Sequence, residues 1–207
     1  MVRKNRVFMS VSIALAAMLV LGCGKKEEDE DKTTELEGTW VGTCQTEDTK
    51  ASKMTYVFAD DKLTVESANY TGATCDAAAI EVKMGISGTF VIEGDAAAPV
   101  GAKNWTMTLV SAKVTPATAE KANNLIAGSF CGVTTWAANT EVDVTGKTCS
   151  MGESDDGGLP TTAGELSYDI YKLTAPTLLF GKETDTLKGE TAATRATELD
   201  TDVYTKQ

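Results

Sequence analysis

Short segments in which apolar and polar side chains alternate recur along most of the chain beyond residue 36. They are rich in Thr, Val and aromatic or aliphatic residues, and Gly, Asp, Asn and Ser separate them. A period of two places successive side chains on opposite faces of a β-strand. The pattern predicts strands near residues 38–45, 53–59, 62–69, 79–92, 104–115, 136–144, 165–173, 177–181 and 202–206.

The alternation predicts a sheet with one apolar and one polar face. Trp105, Met107 and Leu109 alternate with Thr106 and Thr108. Met54, Tyr56 and Phe58 share a face in the same way, and the pair Asp60-Asp61 after them has the composition of a tight hairpin turn. We therefore expect antiparallel pairing of neighbouring strands.

Two places interrupt the strand pattern. Residues 116–128 contain several helix-favouring residues between Pro116 and Gly128, which predicts one short helix. Gly85 and Gly88 lie inside the long fourth segment, where glycine is typical of a bend or bulge that lets a sheet curl.

Eight or nine meandering strands and one helix predict a mainly β fold. The sheet can close into an antiparallel up-and-down barrel, and the alternative is a β-sandwich. Residues 36–207 are enough for a single domain with a substantial core.

The N-terminal segment has the composition of an export signal. Arg3, Lys4 and Arg6 precede an apolar run over residues 7–21, which is about 15 residues long and shorter than the roughly 20 needed to cross a bilayer. We therefore predict a signal peptide at residues 1–22.

The pair Gly22-Cys23 resembles the lipobox of bacterial lipoproteins. The resemblance implies cleavage before Cys23, a diacylglycerol anchor on its sulfur and a fatty acid such as palmitate on the new N-terminus. An ordinary secretory signal is the alternative, but it leaves Cys23 as an unpaired thiol. By resemblance to enterobacterial lipoproteins, Gly24 after the cysteine implies the outer membrane, on its periplasmic or its exposed side. The charged residues 23–35 are expected to form a solvated tether.

Charge and composition exclude several functions. The chain carries a net charge of −11, which becomes −14 without the three basic residues of the signal peptide. Such a surface repels phosphate backbones, so no nucleic-acid partner is expected. Histidine is absent, which removes Ser-His-Asp and Cys-His nucleophile systems and the usual zinc sites. The sequence offers no catalytic residue and no cofactor site, and we expect no enzymatic activity.

One acidic cluster is a candidate for binding a metal ion. Glu153, Asp155 and Asp156 supply oxygen donors beside Gly157-Gly158, but the spacing of a calcium-binding EF-hand loop is missing. A solvated acidic loop is the favoured interpretation, and no metal site is predicted.

Four cysteines remain beyond the anchor. An even number in an exported chain is typical of two disulfides. Of the three possible pairings we expect the local one, Cys44 with Cys75 and Cys131 with Cys149. The alternative is a redox or metal role, for which the usual CxxC spacing is absent.

The first predicted strand begins with Gly38-Thr39-Trp40, which resembles the G-x-W motif of lipocalins and of lipocalin-like domains in bacterial lipoproteins. The resemblance implies an up-and-down barrel in which a late arginine packs over the motif tryptophan. Beyond the signal peptide the chain has one arginine, Arg195. We expect its guanidinium to lie over Trp40, with an exposed loop arginine as the alternative.

Two functions remain open for such a domain. A barrel of this size can hold a small apolar ligand, and the expected lining is Tyr56, Phe58, Met84, Trp105, Met107 and Trp136. The same side chains can instead fill a packed core. In that case we expect a structural lipoprotein, held at the membrane by its lipid, that contacts envelope or host proteins.

Overall fold

A computed structural model describes residues 34–149 and 159–207 of the chain. In this part the strands are β1 (Gly38–Gly42), β2 (Gln45–Glu47), β3 (Lys50–Ala59), β4 (Lys62–Thr71), β5 (Ile80–Asp95), β6 (Lys103–Pro116), β7 (Val142–Asp143), β8 (Leu166–Thr174), β9 (Thr177–Phe180) and β10 (Tyr204–Lys206). One α-helix, α1, spans Ala119–Ala127. The predicted signal peptide, Cys23, the tether up to residue 33 and the acidic cluster at 153–156 lie outside the described residues.

Eight of the strands form a closed antiparallel barrel. Hydrogen-bonded neighbours follow the order β1, β10, β9, β8, β6, β5, β4 and β3, and β3 then pairs with β1 to close the ring. The two short strands lie outside the ring, β2 against β3 and β7 against β6. The structure therefore confirms the lipocalin-like up-and-down barrel, and the sandwich alternative is wrong.

The predicted hairpin and bulge are both present. Ala59 pairs with Lys62 across the turn, in which Asp60 adopts a left-handed backbone with φ of 56°. The pairing of β5 with β6 shifts register between Ser87 and Gly88. A Cβ at residue 88 would collide with the Thr108 carbonyl oxygen, so only glycine fits this bulge.

The barrel has a closed end and an open end, which we call the mouth. The tight connections β3–β4, β5–β6 and β8–β9 lie at the closed end, together with the start of β1. The long connections before β5, between β6 and β8 and between β9 and β10 lie at the mouth. Leu36, fully buried, covers the closed end just before β1 begins.

Aromatic rings fill the closed half of the barrel. Phe58 contacts Phe90 edge to face with centroids 5.1 Å apart, and Trp105 lies 6.3 Å from Phe58. Trp40 is 1% exposed, and its indole N–H donates to the Leu36 carbonyl oxygen at 2.6 Å. This half of the interior is a packed core of the kind that inward-facing side chains form in small barrels.

The residues just before the barrel are also held in place. Lys103 Nζ and the Tyr171 hydroxyl both donate to Glu35 Oε1, each at 2.7 Å. The hydrogen bond from Lys103 lowers the pKa of Glu35. The chain is thus fixed to the closed end before β1 begins.

Helix α1 forms where the sequence predicts it. The Thr118 hydroxyl caps its start by accepting from Lys121 N–H, and Gly128 N–H donates to Asn124 O at its end. The helix packs Ala122 and Leu125 into a second apolar cluster with the start of β5 and the end of β6. β5 and β6 are the two longest strands and extend beyond the barrel at the mouth. The second cluster covers this extension.

The predicted strand over residues 136–144 was wrong except for Val142–Asp143. Left-handed backbone at Cys131, Gly132 and Asn139 interrupts extended structure in this part of the chain. Trp136 instead packs from a loop against Phe130, with centroids 6.1 Å apart, in the second cluster. Apolar spacing that suggested a strand here belongs to an irregular segment with its own small core.

Both disulfides have the predicted partners. Cys44 bonds to Cys75 and Cys131 to Cys149, across 31 and 18 residues of sequence. On the chain-entropy estimate each stabilises the fold by about 3 to 4 kcal/mol. One strand bound near the first bond differs from the prediction. The predicted strand 38–45 ends at Gly42, and the chain turns at Cys44 into the separate strand β2.

Candidate functional site

A pocket opens at the mouth of the barrel. Its volume is about 700 Å³, and it lies between the inner faces of β5 and β6, the start of β8 and two mouth loops at residues 159–165 and 181–190. Pockets that hold small molecules range over roughly 300 to 1,000 Å³. The space is therefore large enough for one small organic molecule.

Apolar side chains form the floor of this pocket. Met107 and Leu109 are buried members of the barrel core, and Ile86 packs against both apolar clusters. Leu166 stands on the wall and is 43% exposed. An exposed leucine beside a concave apolar surface is favourable for an apolar occupant, because binding removes its surface from water.

Carboxylates dominate the rim of the pocket. The lining includes one cation, Lys188, and four acidic side chains, namely Glu165, Glu183, Asp185 and Glu190. All five are exposed. The rim therefore carries an excess of negative charge above an apolar floor.

Backbone hydrogen bonds hold the rim loop against the barrel wall. Tyr168 N–H on β8 donates to the Gly189 carbonyl oxygen at 2.8 Å. Gly189 has φ of 68°, and a Cβ there would lie 2.5 Å from the Tyr168 carbonyl oxygen. Thr191 and Thr194 then form a reciprocal capping box around a short 3₁₀ turn, Ala192–Thr194. The loop is thus a fixed part of the site.

Arg195 anchors the far side of this loop. Its guanidinium bonds to Glu93 Oε2 at 2.5 Å and to Thr106 Oγ1 at 3.2 Å, and it lies 5.4 Å from the centre of the Tyr168 ring. Glu93 is the extra residue where β5 shifts register against β6, and the bulge turns its side chain toward Arg195. The hydrogen bond from Thr106, followed by that from Arg195, lowers the pKa of Glu93.

This position corrects the prediction that Arg195 lies over Trp40. The cation above Trp40 is Lys206, with Nζ 5.5 Å from the ring centre. Lys206 is the direct cross-strand partner of Trp40 in the β1–β10 pair, so it occupies the space above the ring. Arg195 is also not the exposed loop residue of the alternative, since its side chain is 12% exposed.

A largely buried carboxyl lies in the barrel wall beside the end of β9. Asp169 pairs with Trp105 across β8 and β6, and its Oδ1 accepts from Ile170 N–H at 2.7 Å. Burial raises the pKa of Asp169 to about 7, although the backbone hydrogen bonds oppose the rise and Glu183 adds to it. Burial also raises the pKa of Tyr56, with smaller contributions that include Asp169 and Glu183.

The residues predicted to line a ligand site fall into three groups. Met107 lies on the pocket floor. Tyr56, Phe58 and Trp105 belong to the barrel core, where Tyr56 stacks on Phe180 with centroids 4.4 Å apart. Met84 and Trp136 lie in the second cluster beside α1. Of the six, Met107 alone is among the described lining residues of the pocket.

Sequence reasoning missed most of the pocket. Leu109 was visible as the next inward position after Met107, but alternation does not tell which inward residues reach the mouth. Glu183, Asp185 and Glu190 lie outside every predicted strand and helix, and their only signal was the density of acidic residues around 183–190. Glu165 is the first residue of a predicted strand, where nothing indicated a place on the rim.

No protein-family model matches the chain, and no curated protein matches it significantly. None of the helices within residues 34–149 and 159–207 is long and apolar enough to cross a bilayer. In the same two ranges, no three His, Cys, Asp or Glu side chains are grouped as metal ligands would be.

Proposed function

We propose that this chain is an exported lipoprotein, anchored through Cys23, whose lipocalin-like barrel binds a small ligand with an apolar body. The binding site is the pocket at the mouth. The observation that carries the proposal is the combination of a cavity of about 700 Å³ with an apolar floor of Ile86, Met107 and Leu109.

The distribution of packing within the barrel supports this assignment. Aromatic rings fill the closed half, where Trp40 and Phe58 are each 1% exposed. The open space lies instead beside the mouth, between strands and loops that hydrogen bonds fix in place. A preformed concave site of this kind needs little reorganisation to accept a ligand.

Titration with a neutral apolar fluorophore, 1-pyrenemethanol, tests the binding site. We expect saturable binding to the purified chain and a loss of at least about tenfold in affinity in the Ser167→Trp variant, because the indole fills the pocket. Ala97→Trp, at an exposed position in the β5–β6 connection at the closed end, is the matched control and should bind normally.

A milder variant keeps the test valid if Ser167→Trp does not fold. Leu166→Ser removes an exposed apolar wall and should weaken binding while the circular dichroism spectrum stays unchanged. Equal binding by wild type and both pocket variants would overturn the ligand site. The packed barrel of a structural lipoprotein that contacts envelope or host proteins would then be the better assignment.

The support for the anchor is the sequence around Cys23 together with the redox state of the domain. A basic start, an apolar run and Gly22-Cys23 stand in the order of a lipoprotein signal. The two disulfides agree with export, since such bonds persist in oxidising compartments.

Metabolic labelling tests the anchor. The full chain expressed in a bacterium should incorporate an alkyne-bearing fatty acid and fractionate with the outer membrane, whereas Cys23→Ser should lose the label. The double variant Cys44→Ser/Cys75→Ser removes two other cysteines and should keep the label. A wild-type chain without label, or a labelled Cys23→Ser chain, would contradict the anchor.

A further inference from the structure

We propose that the mouth pocket selects amphiphilic organic cations, meaning ligands that carry an ammonium group on an apolar body. The carboxylates of the rim supply the selectivity. This inference rests on the proposed binding function and adds the chemical class of the ligand.

The first step is the arrangement of charge around the cavity. Among the residues that the structure describes, four carboxylates and one ammonium line the pocket, a formal balance of about −3. The apolar residues lie below this rim on β5 and β6. A ligand that matches both surfaces has an apolar part that enters first and a positive group that stays at the opening.

The second step is the position of Glu183. Its charge contributes to the raised pKa of Asp169 and of Tyr56, two half-buried groups of the barrel, although burial is the largest cause of both shifts. The field of Glu183 therefore acts on the barrel interior as well as on solvent. A cation held in the pocket lies in this field, where attraction is stronger than on an open surface because part of the surroundings is apolar.

The third step is that the rim carboxylates project from a held loop. Lys182 N–H donates to Glu198 O at 2.9 Å, Thr184 and Leu187 exchange backbone hydrogen bonds, and Tyr168 N–H donates to Gly189 O at 2.8 Å. These contacts hold the segment that carries Glu183, Asp185 and Glu190. A preorganised set of charges loses less entropy on binding than a mobile one. Lys188, on the same segment, is the one cation among the described lining residues that opposes the others.

Three probes with one apolar body test the proposal. These are 1-pyrenemethylamine, a cation at pH 7, the neutral 1-pyrenemethanol and the anion of 1-pyrenecarboxylic acid. We expect the purified chain to bind the amine about tenfold more tightly than the alcohol and to bind the acid most weakly. Raising the salt concentration to about 0.5 M should reduce the preference, because the rim charges are exposed.

A pair of double variants locates the source of the preference. Glu183→Gln/Asp185→Asn should reduce the ratio of the affinity for the amine to the affinity for the alcohol at least about threefold. Asp60→Asn/Asp95→Asn removes two charges at exposed positions of the closed end and should keep the preference. Equal net charge makes the two variants a matched pair.

The outcomes distinguish a failure of the cation preference from a failure of the proposed binding function. Binding of the alcohol without preference for the amine would overturn the cation class and leave the apolar site in place. A preference that survives in the rim variant, or that falls equally in both variants, would also overturn the role of the rim. If no probe binds, both proposals fail.

Discussion

Replacing Trp40 with alanine is expected to lower the free energy of unfolding by about 3 to 5 kcal/mol, the range for truncating a buried aromatic side chain. The side chain is 1% exposed, lies in the main barrel core and sits beneath Lys206. Its loss leaves a void at the closed end and frees the Leu36 carbonyl oxygen from its indole donor. Urea unfolding followed by circular dichroism measures the change.

Phenylalanine variants separate packing from hydrogen bonding. Trp40→Phe keeps a ring but removes the donor to Leu36 O, which adds a cost of about 1 to 3 kcal/mol for the unsatisfied acceptor. Trp105 has a buried indole N–H without a hydrogen-bond partner among the described residues. Trp105→Phe should therefore cost less than Trp40→Phe. Equal losses, or a loss below about 1 kcal/mol in Trp40→Ala, would contradict the role of Trp40 in sealing the barrel.

Asp169→Asn is expected to stabilise the protein at alkaline pH and to have little effect near pH 4. The pKa of Asp169 is raised from 3.8 to about 7 in the folded state, chiefly by burial. The folded state therefore holds a proton that the unfolded chain releases between these values, and stability falls as the pH rises through this window. Asparagine keeps an acceptor for Ile170 N–H and carries no charge to bury.

The size of this effect follows from the pKa difference. The variant should exceed wild type by about 2 to 4 kcal/mol above pH 7, and the gap should close as the pH approaches 4. Chemical unfolding at pH 4, 5.5, 7 and 8.5 would trace the gap, with Glu120→Gln on the exposed face of α1 as a control variant. A gap that stays constant across this range would show that the carboxyl does not titrate as described.

Much of the barrel could be predicted from local sequence because its strands are regular. Alternation located the long strands within a few residues, and Asp60-Asp61 and Gly88 marked the hairpin and the bulge. Local pairing of the cysteines was correct since each bond joins segments close in sequence. These features depend on neighbours along the chain or across one turn.

The errors arose where distant segments meet. The stretch around Trp136 has apolar spacing that suits a strand, but α1 and the Cys131–Cys149 bond draw it into an irregular lobe. The partner of Arg195 is Glu93, 102 residues away and reoriented by a bulge. Neither contact leaves a pattern in the surrounding residues.

The pocket escaped prediction for the same reason. Its floor comes from β5 and β6, whereas its rim comes from loops that reach it through long-range hydrogen bonds such as the one between Tyr168 and Gly189. Periodicity identifies inward-facing side chains, but it does not say where along a barrel the packing stops.

The contacts of Glu35 place the N-terminal end of the described chain away from the pocket. Lys103 and Tyr171 both bind Glu35 at the closed end of the barrel, whereas the pocket opens at the mouth. A solute can therefore reach the pocket without passing residue 34, the first residue that the structure describes.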